Sequence, residues 1–238
     1  MAPGPDAHPL VVHVVADATD RDGGHVLERL EELGAEIDWL DRDDLPPHWD
    51  ADGVGLLLLL GSERSAHDPR WESVVERESD MVRVAVGTGT PVMAICYGAQ
   101  LAARALGGTS YRGDGAEAGW KRIDTIDEVL CPEGPWAQFH QDVLAPPPTS
   151  TVLGHSWFGP QCFVDEAFDG RVIAWQFHPE VATSTFARWV DEDAALVRAE
   201  GSSPAELKRQ ALANAVRSRQ AAHDLVDAAL AYLRVRTT

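Results

Sequence analysis

Residues 91–108 constrain the fold more than any other segment, because their hydrophobic pattern changes at a single cysteine. Residues 92–95 form a short apolar run that predicts a buried strand, and residues 97–106 have the spacing of a helix. Cys96 is therefore expected at a sharp turn from strand to helix. The unpaired N–H groups at the start of that helix would stabilise a thiolate, so the turn suits a nucleophile.

The segments that precede this turn alternate between apolar runs and helical spacing. Apolar runs at residues 10–16, 35–40 and 53–60 predict strands, and residues 26–33 and 71–86 predict helices. Strands that alternate with helices are typical of a parallel sheet covered by helices on both faces. We therefore predict an α/β fold with an open, mostly parallel sheet.

The pattern changes after residue 108. Short strands separated by loops rich in proline and glycine are predicted at residues 119–126, 150–154, 161–164 and 171–177. We expect these strands to form an antiparallel extension of the sheet. From residue 181 onward the pattern is helical, and it ends in a long helix with an apolar stripe.

We predict two parts in the chain, a main α/β domain over residues 1–200 and a C-terminal helical extension over residues 201–238. The extension carries six basic and three acidic residues, whereas the whole chain has a formal net charge of −18. We expect it to pack on the acidic surface of the same domain. The alternative is a contact with a partner chain, which would make the protein an oligomer through its C-terminal helix.

The composition limits the partners and the location of the chain. With 38 acidic and 20 basic residues, neither nucleic acid nor an anionic membrane is an expected partner. Three scattered cysteines are too few for a disulfide framework, and no spacing suggests a metal site, so we predict no metal and no cofactor. There is no signal peptide pattern and no apolar run that could span a bilayer, so we predict a cytoplasmic protein.

His178 is the second candidate catalytic residue. It follows a buried strand, and Pro179 forces it into extended geometry where that strand ends. If this strand lies beside the strand that precedes Cys96, the imidazole and the sulfur meet at the sheet edge where ligands bind in α/β folds. His178 could then take the thiol proton and give it to a leaving amine, with Glu180 on its other ring nitrogen.

Two motifs carry a resemblance to a known family. Residues 91–100 read Pro-Val-Met-Ala-Ile-Cys-Tyr-Gly-Ala-Gln, and residues 176–180 read Gln-Phe-His-Pro-Glu. Together they resemble class I, or triad, glutamine amidotransferase domains, in particular the amidotransferase half of GMP synthases and its stand-alone relatives. The resemblance covers about residues 54–190 and implies a flavodoxin-like fold.

This resemblance implies hydrolysis of the side-chain amide of glutamine. Cys96 would attack the δ-carbonyl carbon and form a thioester. His178, oriented by Glu180, would protonate the departing ammonia and then activate the water that releases glutamate. The ammonia would pass to a separate acceptor enzyme, a synthetase subunit, because the chain has no ATP-binding loop of the Gly-x-x-x-x-Gly-Lys-Ser/Thr type.

The family also implies residues that bind the substrate. The oxyanion would be held by the N–H of Tyr97 and by an N–H of the turn at Gly61 and Ser62, where the family has a Gly-Gly-Pro turn. The amino-acid end of glutamine would be bound by Gln100 and by a loop comprising His140, Gln141 and Asp142. Gly119-Trp120 on a middle strand adds a weaker match.

The sequence departs from the family at the elbow and at the oxyanion turn. Ala94 stands where the family has glycine, Ser62 replaces the second glycine of the turn, and Glu63-Arg64 replace a Pro-Met-like pair. If the turn needs positive φ, either serine costs about 1 kcal/mol or more there, or the turn flips into that conformation only when substrate arrives. Both cases predict weak glutamine hydrolysis by the isolated chain, which would rise at least tenfold, about 1.4 kcal/mol of barrier, when a synthetase docks near residues 61–68.

Two other functions stay open at this stage. The same three catalytic residues would serve a γ-glutamyl peptidase or hydrolase that needs no partner. A non-catalytic relative is the third reading, although a complete set of Cys, His and Glu argues against it. The motifs do not identify the ammonia acceptor or the γ-glutamyl substrate.

Overall fold

The apolar runs and helical segments of the sequence form ten strands and six α-helices in the computed structural model, which describes residues 9–167 and 171–235. Their bounds are β1 (Val11–Ala16), α1 (Gly24–Glu32), β2 (Glu36–Asp41), β3 (Leu56–Leu59), α2 (Glu72–Thr88), β4 (Val92–Ile95), α3 (Tyr97–Ala105), β5 (Thr109–Lys121), β6 (Asp124–Thr125), β7 (Trp136–Ala145), β8 (Thr151–His155), β9 (Pro160–Asp165), β10 (Val172–Trp175), α4 (Thr183–Glu192), α5 (Ala194–Ala199) and α6 (Pro204–Leu233). Within these described ranges, every helix is too short or too polar to cross a membrane.

An eight-stranded sheet has the order β2-β1-β3-β4-β10-β9-β8-β6. The five strands from β2 to β10 are parallel, and β9, β8 and β6 continue the sheet with antiparallel pairing. Side chains of β3 alternate between two cores: Leu56 and Leu58 face one, and Leu57 and Leu59 face the other. Helices cover both faces, which confirms the predicted α/β fold with an antiparallel extension.

The segment between α3 and β8 differs from the prediction. The strand expected at residues 119–126 is divided: residues 119–121 end the longer strand β5, which pairs with β7 in a separate two-stranded sheet, and residues 124–125 form β6 at the edge of the main sheet. A register shift between Arg112 and Glu117 interrupts this pairing. The glycines at positions 113 and 115 lie in that irregular stretch, so the sequence there lacks the alternation that marks a regular strand.

The predicted long C-terminal helix is α6. Leu225 and Val226 are buried in the same core as strand β1, and Leu207 packs in a third core between α4, α5 and β5. Arg219 of α6 also forms an ion pair of 2.7 Å with Glu28 of α1. The apolar stripe is not buried throughout, because Leu212 and Val216 are 70% and 87% exposed. The boundary at residue 200 stays a prediction.

Gly98 in α3 supports a testable prediction about how this helix packs on the sheet. A Cβ atom at Gly98 would lie 2.3 Å from the Leu59 carbonyl oxygen, whereas one at Gly87 in α2 would have no atom within 4 Å. We expect Gly98→Ala to lower the free energy of unfolding by about 2 kcal/mol. The control Gly87→Ala should raise it by about 0.5 kcal/mol. Urea unfolding checks both values, and equal stability of the two variants would contradict this packing.

Candidate active site

Cys96 lies at the elbow between β4 and α3. Its φ of 52° and ψ of −109° are strained for a residue with a side chain, at a cost of about 1–3 kcal/mol. The Cys96 N–H donates to the Trp175 carbonyl at 2.7 Å, and its carbonyl accepts from the Gln100 N–H at 3.0 Å. These two bonds attach the elbow to β10 and to α3. The predicted strained turn at Cys96 is therefore confirmed.

His178 and Glu180 lie just beyond the end of β10. The His178 Nδ1–H donates to Glu180 Oε1 at 2.7 Å, and both side chains are buried. The His178 backbone N–H donates to the Ala137 carbonyl at 2.9 Å, and the Glu180 carbonyl accepts from the His25 N–H at 2.8 Å. Backbone contacts with β7 and with the start of α1 therefore fix both residues.

The parallel pairing of β4 with β10 brings Cys96 and His178 to the same edge of the sheet. Ile95 lies opposite Trp175 in this pairing, so Cys96 and His178 follow neighbouring strand ends. A Cβ atom at Gly61, which follows β3, would lie 3.3 Å from His178 Cε1 and 3.7 Å from Cys96 Cβ. Gly61 is therefore in contact with both residues, as the parallel topology predicts.

His178 interacts electrostatically with Glu180 and Cys96. Burial by itself would lower the pKa of His178, but the Glu180 carboxylate and the Cys96 thiolate raise it well above its ordinary value. In the described part of the chain, the buried Nε2 of His178 has no hydrogen-bond partner. The ring of Trp189 lies 4.8 Å from the imidazole, centroid to centroid. The arrangement suits a thiolate and imidazolium pair from which a proton can be transferred.

Gln176 contacts Cys96, a role that its place in the motif did not predict. Its Nε2 donates to Cys96 Sγ at 3.6 Å, and its Oε1 accepts from Gln100 Nε2 at 3.2 Å. Gln100 Nε2 also lies 3.4 Å from the Asp142 carbonyl oxygen, which His140 Nδ1 approaches at 2.9 Å. Gln100 and His140 thus hold the backbone of the predicted substrate loop.

A cavity of about 330 Å³ opens beside Cys96. Gln141 and Asp142 line it, and Arg112 on β5 contacts both. Arg112 donates a hydrogen bond to Gln141 Oε1, and its Nε lies 3.2 Å from Asp142 Oδ1. Arg112 carried no signal in the sequence, because it lies in the irregular part of β5. The other carboxylates that line the cavity are Asp20, Asp22, Glu63, Glu180, Glu192 and Asp193.

The oxyanion turn is not strained at Ser62. Cys96 and Arg234 are the non-glycine residues with positive φ in the described ranges, and Gly61 is also outside that region. The Ser62 hydroxyl oxygen accepts from the Arg64 N–H at 3.1 Å, which stabilises the turn. Ser62 therefore carries no cost of positive φ in this conformation of the turn, and slow hydrolysis without a partner stays a prediction.

Glu28, Glu32 and His223 form a cluster away from this cavity whose oxygen and nitrogen atoms lie within 4.8 Å of one another. Such atoms can hold a metal ion, but Arg219 Nη2 already lies 2.7 Å from Glu28 and 3.3 Å from Glu32. The guanidinium supplies the positive charge that these carboxylates require. The cluster therefore connects α1 with α6.

Residues 14–194 match the family described as glutamine amidotransferase class-I. A glutamine-hydrolysing GMP synthase of Aeropyrum pernix is 31% identical over 176 residues, and one of Thermus thermophilus is 34% identical over 131 residues. These matches cover 69% and 53% of this chain but only 32% and 24% of the relatives, so the chain spans about a third or less of their length.

Solved structures share the fold over nearly the whole chain. A glutamine amidotransferase from Thermotoga maritima superimposes with a TM-score of 0.81 at 22% identity, covering 94% of this chain and 99% of the other. A glutamine amidotransferase from Methylobacillus flagellatus gives a TM-score of 0.76 at 22% identity and covers 97% of both chains. The fold is therefore the flavodoxin-like fold of these proteins, and the family match covers most of this sequence. The chain is an enzyme of the class-I glutamine amidotransferase family.

Proposed function

We propose that this chain hydrolyses the side-chain amide of glutamine with Cys96, His178 and Glu180 as its catalytic triad. The observation that carries the proposal is the buried His178 imidazole. Its Nδ1 is bonded to Glu180, and among residues 9–167 and 171–235 its Nε2, whose charge is influenced by Cys96, has no hydrogen-bond partner. This is the arrangement of a base that is oriented on one side and acts on the other.

The reaction would proceed in two halves. The Cys96 thiolate adds to the amide carbon, and the resulting oxyanion collapses as the C–N bond breaks and the His178 imidazolium protonates the departing nitrogen. Ammonia and a γ-glutamyl thioester result. The neutral imidazole then takes a proton from water, the hydroxide adds to the thioester, and the C–S bond breaks to release glutamate.

The N–H of Tyr97 at the start of α3 and the N–H of Ser62 after Gly61 are the proposed oxyanion donors. All three residues line the cavity beside Cys96. Each such donor contributes about 3 kcal/mol to lowering the barrier when it is aimed at the developing charge.

The amino-acid end of glutamine would contact Asp142, Gln141 and Arg112. The Asp142 carboxylate suits the α-ammonium group, and the Arg112 guanidinium suits the α-carboxylate. Both line the cavity, and Arg112 is 56% exposed in its side chain, so it is free to reorient toward an anion. Gln100 and His140, the other predicted substrate residues, would act by holding the Asp142 backbone.

The ammonia would be delivered to a separate synthetase subunit. This is supported by relatives that are glutamine-hydrolysing GMP synthases about three times longer than the matched region. A reducing cytoplasm would suit the chain, because Cys96, Cys131 and Cys162 are all free thiols.

A γ-glutamyl hydrolase is the second candidate, and the size of the cavity favours it. A volume of about 330 Å³ can hold a group attached to the γ-amide nitrogen in addition to glutamine itself. A non-catalytic relative is disfavoured because the three catalytic side chains are brought together.

One assay separates the two enzymatic candidates. We expect the purified chain, without any partner, to release glutamate from glutamine with a kcat/KM roughly tenfold or more above that for γ-glutamyl amines and γ-glutamyl dipeptides. This factor corresponds to about 1.4 kcal/mol of barrier. Glutamine is expected to be preferred because a bulky substituent on the amide nitrogen would have to displace water from the acidic side chains of the cavity wall. Faster turnover of any γ-glutamyl conjugate would identify a hydrolase.

A further inference from the structure

Arg42 is a buried cation behind the active site that no motif assigns to the reaction. It follows β2, its side chain is fully buried, and it does not line the cavity beside Cys96. Its Nε donates to Glu78 Oε1 and its Nη1 to Asp17 Oδ2, both at 2.7 Å. Burial lowers the pKa of Arg42, but the Glu78 and Asp17 carboxylates raise it above its ordinary value, so the side chain stays charged.

The remaining N–H groups of Arg42 are directed at the oxyanion turn. Nη2 donates to the Leu60 carbonyl oxygen at 3.1 Å, and Nη1 approaches the Gly61 carbonyl oxygen at 3.4 Å. In a trans peptide the C=O and the following N–H point in opposite directions. With the Gly61 carbonyl turned toward Arg42, the Ser62 N–H points away from Arg42, and Ser62 lines the cavity whereas Arg42 does not.

The same cluster also reaches the second oxyanion donor. The guanidinium carbon of Arg42 lies 4.5 Å from the centre of the Tyr97 ring, and the Tyr97 hydroxyl donates to Glu78 Oε2 at 2.6 Å. Burial and the Glu78 carboxylate raise the pKa of this hydroxyl, which therefore stays a donor. The Glu78 carboxylate thus connects Arg42 to the residue whose backbone N–H begins α3.

We propose that Arg42 is the positioning residue of the oxyanion site: it holds the Gly61–Ser62 peptide with its N–H facing the cavity and, through Glu78, fixes Tyr97 relative to that peptide. The proposal rests on the proposed function, since only a reaction that forms an oxyanion uses these donors. It explains how a turn with serine in place of glycine is ready for the reaction without a partner.

Arg42→Lys tests this role, because lysine keeps the positive charge but cannot bond two carboxylates and two carbonyls at once. We expect kcat for glutamine to fall by about thirtyfold while KM changes by less than about twofold, because the oxyanion exists only after substrate has bound. Alkylation of Cys96 by iodoacetamide needs no oxyanion donor, so its rate should stay within about twofold of the wild-type rate.

Arg104→Lys is the matched control. Arg104 also bridges a loop carbonyl and a carboxylate of α2, through Ala66 O at 2.7 Å and Glu72 Oε1 at 2.6 Å, but it does not contact the oxyanion turn. We expect its kcat and KM to equal those of the wild type.

Tyr97→Phe is the test if Arg42→Lys does not fold. It removes only the bond to Glu78, so it should lower kcat by about threefold with KM unchanged.

Crystal structures of the wild type and Arg42→Lys provide a measurement that needs no substrate. We expect the Gly61–Ser62 peptide to face the cavity in the wild type and to be rotated or in two orientations in the variant. An unchanged kcat, equal loss in Arg104→Lys, or the same peptide orientation in both structures would overturn the proposal. A wild type that hydrolyses neither glutamine nor γ-glutamyl compounds would overturn the proposed function instead, and the peptide orientation would still decide the role of Arg42.

Discussion

Cys96→Ser is expected to lower the rate of glutamate release by about a thousandfold or more. A serine hydroxyl ionises far less readily than a thiol, so the pair with the His178 imidazolium is not formed and the attacking anion is lost. The backbone geometry at position 96 is retained, because serine has the same branching as cysteine. The measurement is glutamate release from glutamine under saturating conditions, together with the midpoint of thermal unfolding, which should change little.

Cys131→Ala and Cys162→Ala are the controls for this prediction. Both cysteines are buried, and neither lines the cavity beside Cys96. Burial raises the pKa of Cys162 well above its ordinary value, so that thiol is a poor nucleophile. Each control should keep kcat within about twofold of the wild type. Equal loss in all three variants would show that the assay responds to stability.

The strands around the site were predictable because hydrophobic patterns are local, and the ends of parallel strands meet at one edge of the sheet. The apolar runs at residues 53–60 and 92–95 identify β3 and β4, and the abrupt change of pattern at Cys96 identifies the elbow. The residues of the proposed triad follow from such strand ends, since His178 and Glu180 come directly after a buried strand. These features required no knowledge of long-range contacts.

The residues around the triad were not predictable, because their contacts join parts of the chain that are far apart in the sequence. Arg42 lies in a polar segment between two prolines and a strand, where an arginine is normally solvated, and its partners Glu78 and Tyr97 are 36 and 55 positions away. Gln176 belongs to the motif, but only the fold shows that its amide faces Cys96 Sγ. The family resemblance implied that His140 binds substrate, whereas its Nδ1 and Nε2 contact Asp142 O and Gln138 Oε1.

Strands β5 and β7 show a second limit of the sequence pattern. Their pairing depends on a register shift between Arg112 and Glu117, and nothing local indicates that a strand continues through it. The position of Arg112 beside the substrate loop depends on that same shift. The part of the cavity that would bind the amino-acid end is therefore visible only in the folded chain.

Glu180→Gln is expected to slow glutamate release by about a hundredfold or more at neutral pH. Glutamine fills the same space but removes the negative charge that, with the Cys96 thiolate, raises the pKa of His178 against the effect of burial. The pKa of His178 should fall in the variant. The imidazolium is then lost at neutral pH, and both the thiolate pair and the proton donor for ammonia are lost with it.

The pH dependence of Cys96 alkylation by iodoacetamide separates this effect from misfolding. In the wild type the raised pKa of His178 keeps the imidazolium as pH rises through about 7, so alkylation should stay fast there. In Glu180→Gln it should be roughly tenfold slower at about pH 7, and the difference from the wild type should shrink as pH rises through the raised pKa of His178. An alkylation rate that is lowered by the same factor at every pH would instead indicate that the Cys96 sulfur is displaced in the variant.

The raised pKa of His178 also contributes to the stability of the folded chain. A pKa of His178 raised above its unfolded value gives stability that is fully present below about pH 6.5 and is lost as pH rises through the folded value. The difference in unfolding free energy between the wild type and Glu180→Gln should therefore be largest near pH 6 and shrink toward pH 9. Glu192→Gln is the matched control. Glu192 also lines the cavity but pairs with Arg188 at 3.2 Å, so this variant should keep both pH profiles of the wild type.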